Sequence, residues 1–319
     1  MSRALGAEPR AQAAVIIKSE RVRAAKRRAA LRTLLLPLLG AIVAVASSLF
    51  TGVGWAELAA FGVMFVWAML GMEVGFHRLF AHRAFQTSKP LEAFWWVSGL
   101  MAGQGSGTYW LAAHRRHHAH SDGPSDPHSP LCRTGRDGTE KLSGLRGLWH
   151  AHQGNTYTDY ATNVVVFAAD ALRNPLYGKL DKQAALWVAV GMLLPAAAGW
   201  LAYHSLVGAW SCFLWGGPLR MFVQHHTYFT NASLGHVYGE QAFRTNDNSR
   251  NNWYCALWTF GGALQNTHHA FPSSAYLRQR WYELDVAGFA IRLMERGGLV
   301  WNVHRPTPEQ LDAKRLART

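Results

Sequence analysis

Apolar residues gather into two long blocks. From Thr33 to Phe76 there is no Lys or Arg, and the only acids are Glu57 and Glu73. From Ala184 to Leu219 there is no charged residue at all. A helix needs about 20 apolar residues to cross a bilayer, so each block holds two such helices. The predicted spans are 34–52 and 55–74, turning at Thr51–Gly54, and 185–203 and 209–227, turning near Ser205–Gly208. Pro195 and Gly199 fall inside the third span, where a membrane helix tolerates them. A third apolar run, Leu91–Ala102, is too short to span. With Phe94, Trp95 and Trp96 it is predicted to lie at the interface or beneath the polar block. Residues 133–144 read as a loop, and no internal repeat is visible.

Charge orients the hairpins. Both turns lack Lys and Arg, while the flanks are basic. The positive-inside rule therefore places both termini and both polar blocks in the cytoplasm, making an integral membrane protein (of the plasma or inner membrane in a bacterium). The predicted fold is all-α: four transmembrane helices in two hairpins under a cytosolic helical cap. Three regions follow: a basic arm at 1–33, a membrane domain at 34–312 and a tail at 313–319. The arm carries nine Lys or Arg and two Glu. It reads as a solvated segment that fixes topology and touches anionic membrane lipids, its basic region being too long for a signal peptide. No nucleic-acid-binding motif accompanies it. Charged residues make up 16% of the 319, against about 25% in a typical soluble domain, which argues against an ordinary soluble enzyme. Three cysteines without CxxC spacing suggest neither a disulfide framework nor a zinc ribbon.

Sixteen histidines change the picture from membrane architecture to metal chemistry. Eight of them stand in three clusters and one single. His77 and His82 stand in His77-Arg-Leu-Phe-Ala-His82, and His114, His117 and His118 in His114-Arg-Arg-His-His118. His268 and His269 close Gln265-Asn-Thr-His-His269, and His236 follows the fourth span. On a helix, positions i, i+3 and i+4 share a face, so His114, His117 and His118 form a ligand set suited to Fe, Zn or Cu. His77 and His82 lie about 140° apart on a regular helix and can meet one centre only near a helix end or from a neighbouring angle. So many nitrogen donors point to two metals rather than one. His128, His150, His204 and His304 fit a structural role instead.

These motifs resemble the membrane fatty acyl desaturases of the stearoyl-CoA (delta-9) type, over roughly residues 35–312. The first two boxes match fully, as do Tyr109 and Trp110 before the second box and Asp126-Pro-His-Ser after it. Asn248-Ser-Arg-Asn-Asn252, His268-His-Ala-Phe-Pro-Ser-Ser and Trp281-Tyr-Glu-Leu-Asp285 continue the match. The resemblance implies a diiron centre of two Fe ions, ligated here by His77, His82, His114, His117, His118, His236, His268 and His269. It also implies O2-dependent removal of two hydrogens from a fatty acyl chain, with electrons from a separate donor of the ferredoxin, rubredoxin or cytochrome b5 type.

The departures are local. The family's third box begins with His, and here Gln265 stands there, offering an amide oxygen. The family's Asn-Ser-x-x-His is Asn231-Ala-Ser-Leu-Gly-His236, one residue longer, which on a helix turns Asn231 by about 100° from its place relative to His236. His-x-Gly-Trp is His152-Gln-Gly-Asn155, without the Trp. Glu73, four residues before His77, is either an acceptor for that imidazole's N–H or an acid paired with Arg78 or Arg83. His225 and His226 are alternative replacements for the histidine missing from the third box. Tyr109 and Trp110 are candidates for the wall of the acyl tunnel, and Arg78, Arg115, Arg116 and Arg146 for contacts to an acyl-CoA head. The expected substrate is an acyl thioester or acyl lipid. Alternatives are a hydroxylase or acetylenase on the same centre, a membrane zinc hydrolase, or an inactive lipid-binding paralogue.

Overall fold

The computed structural model describes residues 15–135 and 138–317. Four helices are long and apolar enough to cross a membrane: Glu20–Thr51, Trp55–Ala81, Ala184–Tyr203 and Leu206–His236. The predicted hairpins recur, with the helices longer than the apolar runs at the ends that meet the cap. The first hairpin turns at Gly52, whose φ of 72° is open to glycine without strain. The second helix then starts on a capping box, in which the Glu57 carboxylate accepts from the Gly54 N–H at 3.0 Å. Glu57 also accepts from the Tyr203 hydroxyl at 2.8 Å, so this acid in an apolar block is partnered. The third helix ends on a left-handed residue, His204, and Ser205 caps the fourth.

The first and third helices leave Leu36, Leu39, Ile42, Leu193 and Leu201 exposed. The second and fourth bury far more of their length and run on into the cap. Helix Lys89–Met101 lies beneath the cap, with Trp95, Trp96 and Leu100 buried. Helix Gly107–His120 follows, started by the Ser106 side chain accepting from the Tyr109 N–H at 3.2 Å. Trp96 stacks on Tyr177 at 4.2 Å and abuts Phe76 and Phe80 edge-on. This aromatic cluster fixes the second long helix against the cap.

Two segments depart from the sequence reading. The stretch predicted as a loop contains an antiparallel hairpin, Cys132–Gly135 paired with Gly138–Lys141. Arg133 faces Glu140 across it at 2.6 Å, a cross-strand pair that composition does not reveal. The arm read as solvated is docked from Ile16 onward. Ile16–Lys18 pairs antiparallel with Tyr160–Thr162, and the Lys26 ammonium donates to the Asn155 carbonyl at 2.9 Å. Residues 1–14 of the arm lie outside the described residues.

Candidate metal centre

Eight histidines from four separate stretches converge in the cap. His77, His82, His114, His118 and His268 form one group, and His117, His236 and His269 a second. In the first, Nε2 atoms face one another: His82 and His114 at 2.7 Å, His77 and His268 at 3.0 Å, His118 and His268 at 2.9 Å. Nitrogens this close, with no room for a proton on each, are the arrangement a shared cation draws together. In the second, the Nε2 atoms of His117 and His269 lie 3.3 Å apart, and that of His236 is buried without a partner. An orphaned buried acceptor of this kind fits a missing metal bond. Burial, then repulsion from neighbouring imidazoles, holds His114, His118 and His268 well below the ordinary histidine range. They are therefore neutral, the form that ligates.

The spacing of the first box is resolved by local geometry. The backbone from Gly71 to Ala81 is a π-helix, and the His82 N–H bonds to the His77 carbonyl at 3.1 Å. An i+5 to i bond stacks residues five apart, so the two imidazoles share a face with centroids 5.0 Å apart. The second box divides its histidines. His114 and His118, four apart, serve the first group, and His117 serves the second. The neighbours His268 and His269 likewise straddle the two groups.

The histidines of the second group are each held through Nδ1 by an aspartate. Asp126 accepts from His117 at 2.9 Å, Asp122 from His236 at 3.0 Å and Asp247 from His269 at 2.5 Å. Such carboxylates fix the tautomer and aim Nε2 at the metal. Burial alone would raise the Asp126 carboxyl, yet His117 and His128 beside it hold it below the usual carboxylate range. Asp122 and Asp247 were not singled out from the sequence, because one partner lies 114 positions away and the other 22. His128, read as structural, shares Asp126 with His117 and lines the adjacent cavity. The motif after the fourth span props the same group. Asn248 donates through its backbone to Asp122 and through its side chain to the His236 carbonyl, both at 2.7 Å.

Glu73 is the first group's carboxylate. It is 0% exposed and accepts from His77 Nδ1 at 2.9 Å. The ion pair considered from sequence does not form: Arg78 pairs with Asp285 at 2.7 Å and Arg83 with Asp170 at 2.6 Å. The other oxygen of Glu73 accepts from Asn231 Nδ2 at 3.3 Å. A Cβ at Gly262 would collide with both groups, so a glycine there lets the backbone pass. The extra residue before His236 thus leaves Asn231 lining the cavity, with its Oδ1 buried and unpartnered. Gln265 is also at the cavity wall, and its Nε2 donates to the Gly262 carbonyl at 2.6 Å. This orientation commits the amide nitrogen and leaves the oxygen as the free donor atom. His225 and His226 do not replace the absent imidazole. His225 bonds the Thr33 and Ala102 carbonyls at 2.9 and 2.7 Å, and His226 bonds His152 at 3.0 Å.

A cavity of about 180 Å³ abuts both groups. His77, His114, His117 and Gln265 form its metal-side wall, and Trp110 and Tyr228 add an aromatic one. Trp110 stacks on His114 at 5.0 Å, while Tyr109 lines a neighbouring cavity. The two groups of imidazoles could each hold a metal ion beside this aromatic-walled cavity.

Residues 54–292 match the family model described as "Fatty acid desaturase". The chain is 38% identical over 285 residues to "Hex-5-enoyl-[acyl-carrier protein] acetylenase" of Moorena producens (strain JHB), covering 88% of this chain and 87% of that one. It is 33% identical to the "sn-1 stearoyl-lipid 9-desaturase" of Anabaena variabilis, over 83% of this chain and 89% of the relative. With "Delta-9 acyl-lipid desaturase 1" of Arabidopsis thaliana the identity is 31%, over 80% and 78%. A match across three quarters of the length, with the boxes gathered as above, places the chain in the fatty acid desaturase family.

Proposed function

We propose that this is an integral membrane, O2-dependent diiron oxidoreductase that takes two hydrogens from neighbouring carbons of a fatty acyl chain. The convergence of eight imidazoles on an aromatic-walled cavity carries this reading. Two iron ions bound there supply the O2 activation and C–H oxidation that no protein side chain performs. His77, His82, His114, His118 and His268 would hold one ion, and His117, His236 and His269 the other, with Gln265 near the second and Asn231 bonded to Glu73 behind the first. The aspartates and Glu73 orient the ligands. Trp110 and Tyr228 hold the chain and exclude water. The balance is one O2, two electrons and two protons consumed, and one alkene and two waters formed, with the electrons from an external ferredoxin, rubredoxin or cytochrome b5 type donor. The apolar outer faces of the first and third helices support a membrane setting, with both termini on the cytosolic side.

A second reading has the same centre act on an existing double bond and leave a triple bond. The 38% identity to an acetylenase favours it. One experiment separates the two. Protein from iron-rich medium is assayed for metal, chemically reduced, mixed with O2 and offered saturated and monounsaturated acyl thioesters. Two irons per chain and loss of two hydrogens from the saturated chain are expected. Loss only from the unsaturated chain selects the acetylenase reading. Retention of labelled oxygen in the product, or zinc in place of iron, overturns both.

A further inference from the structure

Gln104, Ala113, His128, Asn155, Thr156 and Phe229 line both the cavity at the histidines and a second one of about 210 Å³. The two cavities therefore adjoin, placed to serve as one passage. Its far end is walled by Lys26, Arg116 and Tyr160. The Lys26 ammonium lies 5.5 Å from the centroid of the Tyr160 ring and the Arg116 guanidinium 5.3 Å from it. Arg116 is 1% exposed, and its bonds run to neutral oxygens, Ser125 O at 2.7 Å and Thr162 Oγ1 at 3.2 Å. Lys26 likewise bonds the Asn155 carbonyl and Thr158 Oγ1.

Neither cation has an ion pair among the described residues. The other basic residues that the sequence offers for a head group are each neutralised: Arg78 by Asp285, Arg115 by Asp170 and Arg146 by Glu140. Two confined like charges repel, and each has lost part of its hydration. An anion between them would relieve both costs. Farther along the passage, Gln104 Nε2 is buried without an acceptor. An amide carbonyl of a carrier arm, or the ester carbonyl of an acyl lipid, would supply one.

We infer that Lys26 and Arg116 form the head-group site of the passage and take a phosphate of the acyl substrate's carrier, with the Gln104 amide donating to the arm behind it. The inference rests on the proposed acyl substrate. A phosphate at that place occurs on a phosphopantetheine arm and on a phospholipid, and the test distinguishes them.

The detergent-purified full chain is titrated with octanoyl-4′-phosphopantetheine against octanoyl-pantetheine, and with octanoyl lysophosphatidylglycerol against monooctanoylglycerol. In one pair the phosphate compound is expected to bind about tenfold tighter, and that pair names the source. The advantage should vanish in the double variant Lys26→Gln, Arg116→Gln, with the phosphate-free compound unchanged. Lys26→Gln alone, on the half-buried arm, should remove part of it without touching the box that holds His117. No advantage in either pair, or equal weakening of both members, overturns the inference. Because binding is read without turnover, a protein that holds no iron yet prefers phosphate would sink the oxidase reading and keep the head-group site.

Discussion

The first histidine group holds five imidazoles with one carboxylate, Glu73, behind them; the second holds three, each backed by its own aspartate. One group has donors in excess, and the other depends on orienting the few it has. Gln265, standing where the resemblance implies a histidine, packs against Gly235 next to His236 on the poorer side. Its committed amide nitrogen leaves that side with a neutral oxygen in place of the imidazole that the resemblance implies. Metal retention should therefore be unequal, and the inequality should follow the ligand count.

Removing one imidazole from each side gives the largest effect. His269→Ala leaves two imidazoles in the second group and should drop iron from about two per chain to about one, with activity abolished. His82→Ala leaves four in the first group and should keep about two. Elemental mass spectrometry on both proteins checks this, and equal losses would break the comparison. The orienting carboxylates come next. Asp247→Asn should weaken the second metal by about 10–100-fold in a chelator titration. Glu73→Gln should cost less, because four further imidazoles hold the first. In the opposite direction, Gln265→His should slow iron release to chelator by about tenfold, since it restores an imidazole to the poorer side. The smallest effect is expected outside both groups. Arg83 is 69% exposed beside Asp170, and Arg83→Ala should change stability by about 0–1 kcal/mol and iron content not at all. Thermal melting in detergent reads that difference.

Much of this arrangement is legible in the sequence. The hairpins follow from charge-free blocks, and the histidine boxes from spacing. Other parts are not. The meeting of His77 with His82 depends on a π-helix whose extra residue per turn leaves no composition signal. The hairpin at Cys132–Gly135 depends on a partner strand, and the docking of Ile16–Lys18 on a strand more than a hundred residues away. Asn231 was placed by helical angle alone, and the structure shows how the close approach of Gly262 and Glu73 sets its position.

The sequence by itself determined which segments are too apolar for water and which eight imidazoles are available. Both are local properties, summed over neighbours in the chain. Only the tertiary structure decided how those imidazoles divide into five and three, and which aspartate orients which ring. It alone decided that Arg116, unlike Arg78 and Arg115, makes no ion pair among the described residues. Ligation and ion pairing act over a few ångströms through space, between residues that chain order keeps far apart, so their pattern exists only once the helices have packed.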